Sequence, residues 1–304
     1  MSIIASRVRH GVLCHFDGDR PIGMSLRTYG EWAEEEVYLL SLFIRRGALV
    51  VDVGSNIGTH ALAFSRFVSR EGRVIAVEAQ EAIFNLLVMN MLINDATHVN
   101  CIHAIVSRDS TLCYLPATET PSQSAAVSFC NVNDNPSRRT GSGAVLPLPV
   151  INLDSLALDR CDLIKIDVEG MEFDVLRGAE NTIHDYRPPV YFEPRRRNFA
   201  NVFSFFTEAD YTLFWHAASP FNIRNWHNNP HNVFGGTREL NILALPTEKK
   251  LQWKAQSGDL KVIETPEYSP PRFDSTPGWT LPASAYADLP SVTRSLVSSL
   301  ARVL

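Results

Sequence analysis

Several chemical devices are missing from this sequence, and each absence removes a class of function. The five cysteines, Cys14, Cys101, Cys113, Cys130 and Cys161, are odd in number and scattered. No two form a C-x-x-C pair, which argues against a disulfide frame or a cysteine zinc site and for reduced thiols. Positive charge is also scarce: 28 Lys and Arg against 33 Asp and Glu leave a formal net charge of -5. A general nucleic-acid binder would show a basic surplus, so no nucleic-acid partner is expected. No apolar run approaches the ~20 residues of a membrane span, and the opening MSIIASRVRH lacks the apolar core of a signal peptide. A soluble, cytoplasmic protein is the expectation. There is no G-x-G-x-x-G, and no Gly-Lys-Ser/Thr phosphate loop.

What is present is organised around Ala48 to Gly58, ALVVDVGSNIG. Ala48, Leu49, Val50, Val51 and Val53 form a β-branched run of the kind buried on both faces of a parallel sheet. Gly54 and Gly58 punctuate a tight loop, and Ile57, Ala61, Phe64 and Val68 follow at helical spacing. Strand, glycine loop and helix make half of a nucleotide-binding unit, whose loop amides can meet a polar ligand. RVIAV from Arg73 reads as the next parallel strand, with Glu78 at its carboxyl end, where a carboxylate can hold ribose hydroxyls. Asn56 stands where a dinucleotide loop has its middle glycine. Asp52 beside the loop would repel a pyrophosphate but suits an ammonium or sulfonium group, which points from NAD toward S-adenosylmethionine.

Along the chain, residues 1–46 read as an N-terminal attachment, 47–246 as the core and 247–304 as a C-terminal extension. Val8–Phe16 and Ile22–Leu26 flank Asp17-Gly18-Asp19 as a hairpin. A helix is expected over Glu31–Phe43, with Glu34, Glu35 and Glu36 as its solvated face. Tyr29 and Glu31 sit at a junction that could fold over a cofactor. Further helices are expected from Glu81 to about Ile93, from Met171 to Ile183 and from Phe199 to Asp210. Strands are expected over Val99–Ser107, with Ala104 near an adenine ring, over Val145–Leu153, and over Asp162–Val168. Others are Pro188–Phe192 ending at Glu193, Tyr211–Trp215 ending at His216, and Glu239–Leu245. Thr111–Leu115 reads as a short accessory strand, and Asp154 as the cap of a short helical turn. Pro116–Gly143, with Arg138 and Arg139, has no period and reads as a lid or binding loop. Ser291–Leu304 reads as a small amphipathic helix. The alternation gives a doubly wound α/β sheet with a late antiparallel hairpin.

Five stretches together resemble the FkbM family of S-adenosylmethionine-dependent methyltransferases. They are Tyr29-Gly30-Glu31-Trp32, VVDVGSNIGTHAL (Val50–Leu62), VIAVEAQ (Val74–Gln80), LDSL (Leu153–Leu156) and DLIKIDVEGMEFDVLRGAE (Asp162–Glu180). The resemblance implies a seven-stranded, mostly parallel, Rossmann-like methyltransferase fold and methylation of hydroxyl oxygens. It implies that Asp52, Gly54, Ser55, Asn56 and Gly58, with Thr59 beside them, surround the methionine part of the cofactor. Glu78 would hold the ribose, with Ala79 and Gln80 next to the adenosine. Asp167 and Glu169 would border the meeting point of cofactor and acceptor.

Methyl transfer to an alcohol needs alignment and a base. The candidates at strand ends are Glu169, Asp167, Glu193 and His216. No metal site is expected. His227 and His231 are four apart, but Pro230 between them forbids the helix that H-E-x-x-H requires. RPPVYFEP resembles the Asn/Asp-Pro-Pro-aromatic motif of amino-group methyltransferases, but Arg187 replaces the amide or acid. The expected reaction is therefore O-methylation of a small molecule or glycan. The rivals are a non-catalytic adenosine-ligand module and an NAD-type oxidoreductase.

Overall fold

The computed structural model describes residues 2–109, 111–116, 145–252, 260–271, 281–282 and 285–286. The lid segment expected at Pro116–Gly143 (apart from Pro116) and the terminal helix expected at Ser291–Leu304 lie outside them.

Four elements precede the core: β1 (Ile3–Val8), β2 (Gly11–Phe16), α1 (Ile22–Tyr29) and α2 (Glu34–Ser41). The hairpin is not the expected one, since β1 pairs antiparallel with β2 across Arg9-His10, with Val8 opposite Gly11. Ile22 onward is helix. Asp19 takes up the other end of the expected turn, its Oδ2 accepting the Gly23 N–H at 2.6 Å in the first turn of α1. The β1–β2 hairpin is fixed to the core by two asparagines, Asn90 inside the helix Glu81–Ile93 and Asn94 at its C-cap. Asn90 Oδ1 accepts the Cys14 N–H at 2.7 Å, and Asn94 Oδ1 accepts the Val12 N–H at 2.9 Å.

The core begins with β3 (Leu49–Val53), α3 (Thr59–Val68), β4 (Arg73–Glu78), α4 (Glu81–Ile93) and β5 (Val99–His103). The expected strand to Ser107 breaks at Ala104. Its continuation, β6 (Ile105–Val106), joins β7 (Thr111–Pro116) and β8 (Val145–Ile151) in a separate three-stranded sheet. The chain then returns through β9 (Leu163–Ile166), α5 (Glu172–Arg177), α6 (Glu180–Tyr186), β10 (Val190–Phe192) and α7 (Phe199–Glu208). The single helix expected after β9 is thus two, interrupted at Gly178, where an added Cβ would lie 2.3 Å from the Ser107 carbonyl oxygen. Asp154 caps α6, accepting the Asn181 and Thr182 N–H groups at 3.0 and 2.8 Å, while Asn152 caps the turn at Leu153. The sheet ends with β11 (Tyr211–Ala218), β12 (Glu239–Pro246) and β13 (Leu260–Val262).

The large sheet runs β13-β11-β12-β10-β9-β3-β4-β5. Neighbours from β10 to β5 pair in parallel, and β12 is antiparallel to both β10 and β11. The expected seven-stranded, doubly wound sheet is therefore present, with β13 added on the outer edge. Successive residues of β3 serve opposite layers, as the pleat dictates. Val50 packs with Leu62, Phe64 and Leu87 under α3 and α4. Val51 packs with Ile164, Leu176 and Phe206 under α5 to α7. The strand order reverses at β3, which lies between β9 and β4, so a crevice opens beyond the carboxyl ends of those strands.

The acidic run of α2 is not a solvated face. Glu34, Glu35 and Glu36 are 2%, 2% and 4% exposed. Glu34 Oε1 meets His10 Nε2 at 3.1 Å, Glu35 Oε2 accepts the Ser219 N–H at 2.6 Å, and Glu36 Oε1 accepts from Asn241 Nδ2 at 2.8 Å. Buried carboxylates survive when such donors replace water.

Candidate active site

The glycine loop is held between the ends of two strands. The N–H groups of Gly54 and Ser55 both donate to the Val77 carbonyl at 2.9 Å. A Cβ on Gly54 would lie 1.9 Å from the Asp167 carbonyl oxygen, and its φ is +79°, so only glycine fits. Asn56 has φ 50°, a left-handed conformation that asparagine accepts better than most residues. Its N–H donates to Glu78 Oε2 at 3.0 Å, and the Gln80 N–H donates to Glu78 Oε1 at 2.8 Å. The carboxylate thus ties the loop to the end of β4. Burial pushes the Glu78 carboxyl up to about 7 despite these donors.

A cavity of about 560 Å³ opens over this loop. Gly54, Ser55, Asn56, Thr59, Glu78, Ala79, Gln80 and Ala104 line one part of it, and Asp167, Glu169 and Glu193 another. The structure therefore gathers residues from β3, β4, β9 and β10 and the turns after them into one volume.

Five expected site residues do not line it. Asp52 is fully buried behind the wall, 3.8 Å from Lys165 Nζ, and neither of its oxygens has a hydrogen-bond partner. Its charge is felt by Lys165, His60 and Glu78 of the cavity wall. Gly58 packs the helix instead, since a Cβ there would meet Leu87 and Met91 at 2.7 and 2.8 Å. The Tyr29 hydroxyl donates to the His231 carbonyl at 2.5 Å and accepts the Val233 N–H at 2.7 Å. Glu31 is clamped by Arg9 at 2.5 Å, Asn222 at 3.0 Å and the Trp226 N–H at 3.0 Å. Both residues staple the 219–234 segment to the N-terminal lobe. His216 lies inside β11, is 3% exposed, and its Nδ1 hydrogen-bonds with the Tyr191 hydroxyl at 2.7 Å. Burial pushes its imidazole down to about 3.

The wall also carries residues that the sequence reading did not assign: Glu36, His60, Lys165, Tyr191, Glu239 and Asn241. Lys165 Nζ donates to Asp167 Oδ2 at 3.0 Å. Partial burial works against the Asp167 charge, but Lys165 outweighs it and holds the carboxyl below its usual range. Arg195 reaches Glu169 at 2.8 Å and Glu193 at 3.0 Å, joining two of the candidate bases in one exposed ion cluster. His60 sits in the first turn after the glycine loop, a position that could have marked it. Glu36 and Glu239 come from opposite ends of the chain, so no spacing signals their meeting.

A doubly wound sheet with its crevice at the switch point, a glycine corner and an acidic strand end define a Rossmann-like methyltransferase fold. The methyltransferase FkbM domain matches residues 52–213, and the chain belongs to that family. Its methyl donor is S-adenosylmethionine. Similar solved structures include the methyltransferase FkbM of Methylobacillus flagellatus, at 16% identity and a TM-score of 0.42, covering 66% of this chain and 44% of that one. Another is the precorrin-6y C5,15-methyltransferase of Geobacter metallireducens, at 11% identity and a TM-score of 0.40, covering 69% and 87%. A third is an S-adenosylmethionine-dependent O-methyltransferase of Thermotoga maritima, at 12% identity and a TM-score of 0.39, covering 69% and 64%. This chain thus spans less than half the length of the Methylobacillus protein. No curated protein matches it. Among the described residues no helix is long and apolar enough to cross a membrane, and no group of His, Cys, Asp and Glu is arranged to hold a metal.

Proposed function

We propose that the chain methylates a hydroxyl oxygen of a small molecule or glycan. The observation that carries this reading is the continuity of one cavity from the Glu78 corner to a wall of carboxylates. One volume then serves both a nucleoside and an acceptor oxygen.

The lining chemistry fits S-adenosylmethionine. Asp167, Glu169 and Glu193 face the cavity together with Glu36, Glu78 and Glu239, whose carboxyls burial raises. Among the described residues Lys165 and Arg238 are the lining lysine and arginine. Such a wall favours a ligand carrying positive charge and repels a dinucleotide diphosphate or a nucleic-acid backbone. Gly54, Ser55 and Asn56 would cradle the methionine portion, and Glu78 would hold the ribose, with Ala79, Gln80 and Ala104 along the adenosine. When bound, the cofactor supplies a methyl group made electrophilic by a positively charged sulfur. The protein's contribution is to align the acceptor oxygen, to exclude water and to take one proton from the hydroxyl.

Calorimetry with S-adenosylhomocysteine should give saturable one-site binding. S-adenosylmethionine carrying a labelled methyl group should pass the label to a hydroxyl compound. Absence of binding would refute the cofactor reading. Binding with label passing only to nitrogen or carbon acceptors would refute O-methylation while leaving the cofactor in place.

A further inference from the structure

The family domain ends at residues 52 and 213, yet two of the carboxylates in the cavity wall lie outside it. Glu36 comes from α2 of the N-terminal lobe and Glu239 from the start of β12. Their side chains hydrogen-bond to each other, so one of the two must carry a proton. Asn241 Nδ2 fixes Glu36 Oε1 at 2.8 Å, which leaves Oε2 facing His60 Nε2 at 3.5 Å. His60 is among the residues lining the cavity, and that imidazole nitrogen is buried without a hydrogen-bond partner. Its neighbour Glu36 Oε2 is thus too far for a hydrogen bond, which leaves that carboxylate oxygen uncommitted to His60 beside the cavity.

We propose that Glu36 is the base that takes the acceptor's proton, that Glu239 is its protonated partner, and that the acceptor is a hydroxyl compound bearing no negative charge. This rests on the O-methyltransferase reading and names the acceptor half of the same cavity.

The other carboxylates are already committed. Asp167 is held ionised by Lys165 at 3.0 Å, which makes it a weak base. Glu169 and Glu193 share Arg195 at 2.8 and 3.0 Å. His216 lies outside the cavity wall, against Tyr191. For the pair, burial is the first effect, and it pushes Glu36 up to about 7. Burial, then repulsion from Glu36 and Asp167, pushes Glu239 further, to about 9. Lys165 works the other way on both. His60 is neutral beside them, lowered to about 3 by burial and then by Lys165. Other neighbours are Asp52, buried 3.8 Å from Lys165; Tyr191, whose phenol stays protonated; Glu35, whose charge raises that phenol; and the lining cation Arg238 beside Glu239. Burial and carboxylate repulsion thus hold the pair's protons well above the usual carboxylate range, so near neutral pH it keeps one proton and can accept a second.

In the transfer the acceptor O–H bond breaks and its proton goes to Glu36. The oxygen's electron pair forms the O–CH₃ bond, and the C–S electron pair stays on sulfur. The positive charge that began on sulfur ends as a proton on the pair, which returns it to solvent after product leaves. With one proton on the pair, Asp167, Glu169, Glu193 and the ionised member of the pair still outnumber Lys165 and Arg238 among the described lining residues, so an acceptor with its own carboxylate or phosphate would be repelled.

The test uses the full chain, labelled S-adenosylmethionine, and glycerol and glycerate at equal high concentration as matched neutral and anionic probes. Wild type should label glycerol and leave glycerate near background. The glycerol rate should follow a bell whose two limbs both lie above the usual carboxylate range, since the singly protonated pair is the active form. E36Q, which keeps an oxygen for Asn241, should lower the glycerol rate by about 10²-fold or more. E239Q replaces the acid with a permanent donor and should erase the alkaline limb. Both variants should bind S-adenosylhomocysteine within about threefold of wild type, which shows that they fold. An E36Q rate near wild type would overturn the proposal. So would an unmoved alkaline limb in E239Q, or glycerate labelled as fast as glycerol. Wild type that binds S-adenosylhomocysteine but labels neither probe also overturns it, while wild type that fails to bind defeats the underlying cofactor reading instead.

Discussion

At the residue scale, the corner after β3 depends on one side chain. Glu78 accepts the Asn56 and Gln80 N–H groups at 3.0 and 2.8 Å, and it also lines the cavity. Truncating it removes a ligand contact and loosens the loop together. Glu78→Ala should weaken S-adenosylhomocysteine binding by on the order of 1.5–3 kcal/mol, the range for hydrogen bonds to a charged group. Titration calorimetry reads this directly, and an unchanged affinity would remove Glu78 from the ribose. This corner was legible in the sequence because its constraints are local. Gly54 and Glu78 follow strands whose ends the apolar pattern marks. Asp52 was harder to place. It lies two residues before Gly54, and only the neighbouring β9 brings Lys165, which lines the cavity while Asp52 does not, to 3.8 Å from it. His216 failed for a related reason: β11 continues to Ala218, so the histidine is inside the strand and not at its mouth.

At the scale of elements, α2 shows where reading a sequence ends. Three adjacent glutamates look like a solvated face, because charge runs usually are. Here the partners lie far along the chain: Ser219 for Glu35 and Asn241 for Glu36, 184 and 205 residues away. No periodicity carries such distances. Burying the run makes α2 a structural link between the N-terminal lobe and the β11–β12 hairpin. Glu35→Ala should leave the Ser219 amide without its 2.6 Å acceptor. The expected loss is about 1–3 kcal/mol of unfolding free energy, the cost of an unsatisfied buried donor. Urea denaturation should show it as a lower midpoint at unchanged slope. A solvated glutamate at that position would give a change near zero. The cut at Gly178 between α5 and α6 was equally hidden, since it depends on the Ser107 backbone pressing against the glycine. The long apolar stretches of β3, β4, α4 and β12 carried the fold class because both sheet faces are covered, and such strands read as continuous runs.

At the scale of the whole molecule, the buried carboxyls set how stability follows pH. Burial raises Glu36, Glu78 and Glu172 from 4.5 to about 7 and Glu239 to about 9. Over those windows the folded chain holds protons that the unfolded chain has released. Stability therefore falls as pH rises through them. Two histidines oppose this, but lower down. Burial depresses His60 and His216 from 6.5 to about 3, so the unfolded chain takes up more protons there, and stability gained with rising pH is complete by about 6.5. Above that point the carboxyls lead, and toward pH 9 the thiols of Cys14, Cys101 and Cys161, also raised by burial, act in the same direction. The melting temperature of the ligand-free protein should decline between about pH 6.5 and 9 at constant ionic strength, with the upper part of the decline due chiefly to Glu239. In E239Q that upper part should flatten, because an amide has no proton to lose. A melting temperature that rose across the same range would mean that these carboxyls are ionised in the folded state, and that the acidic wall is better solvated than its burial implies.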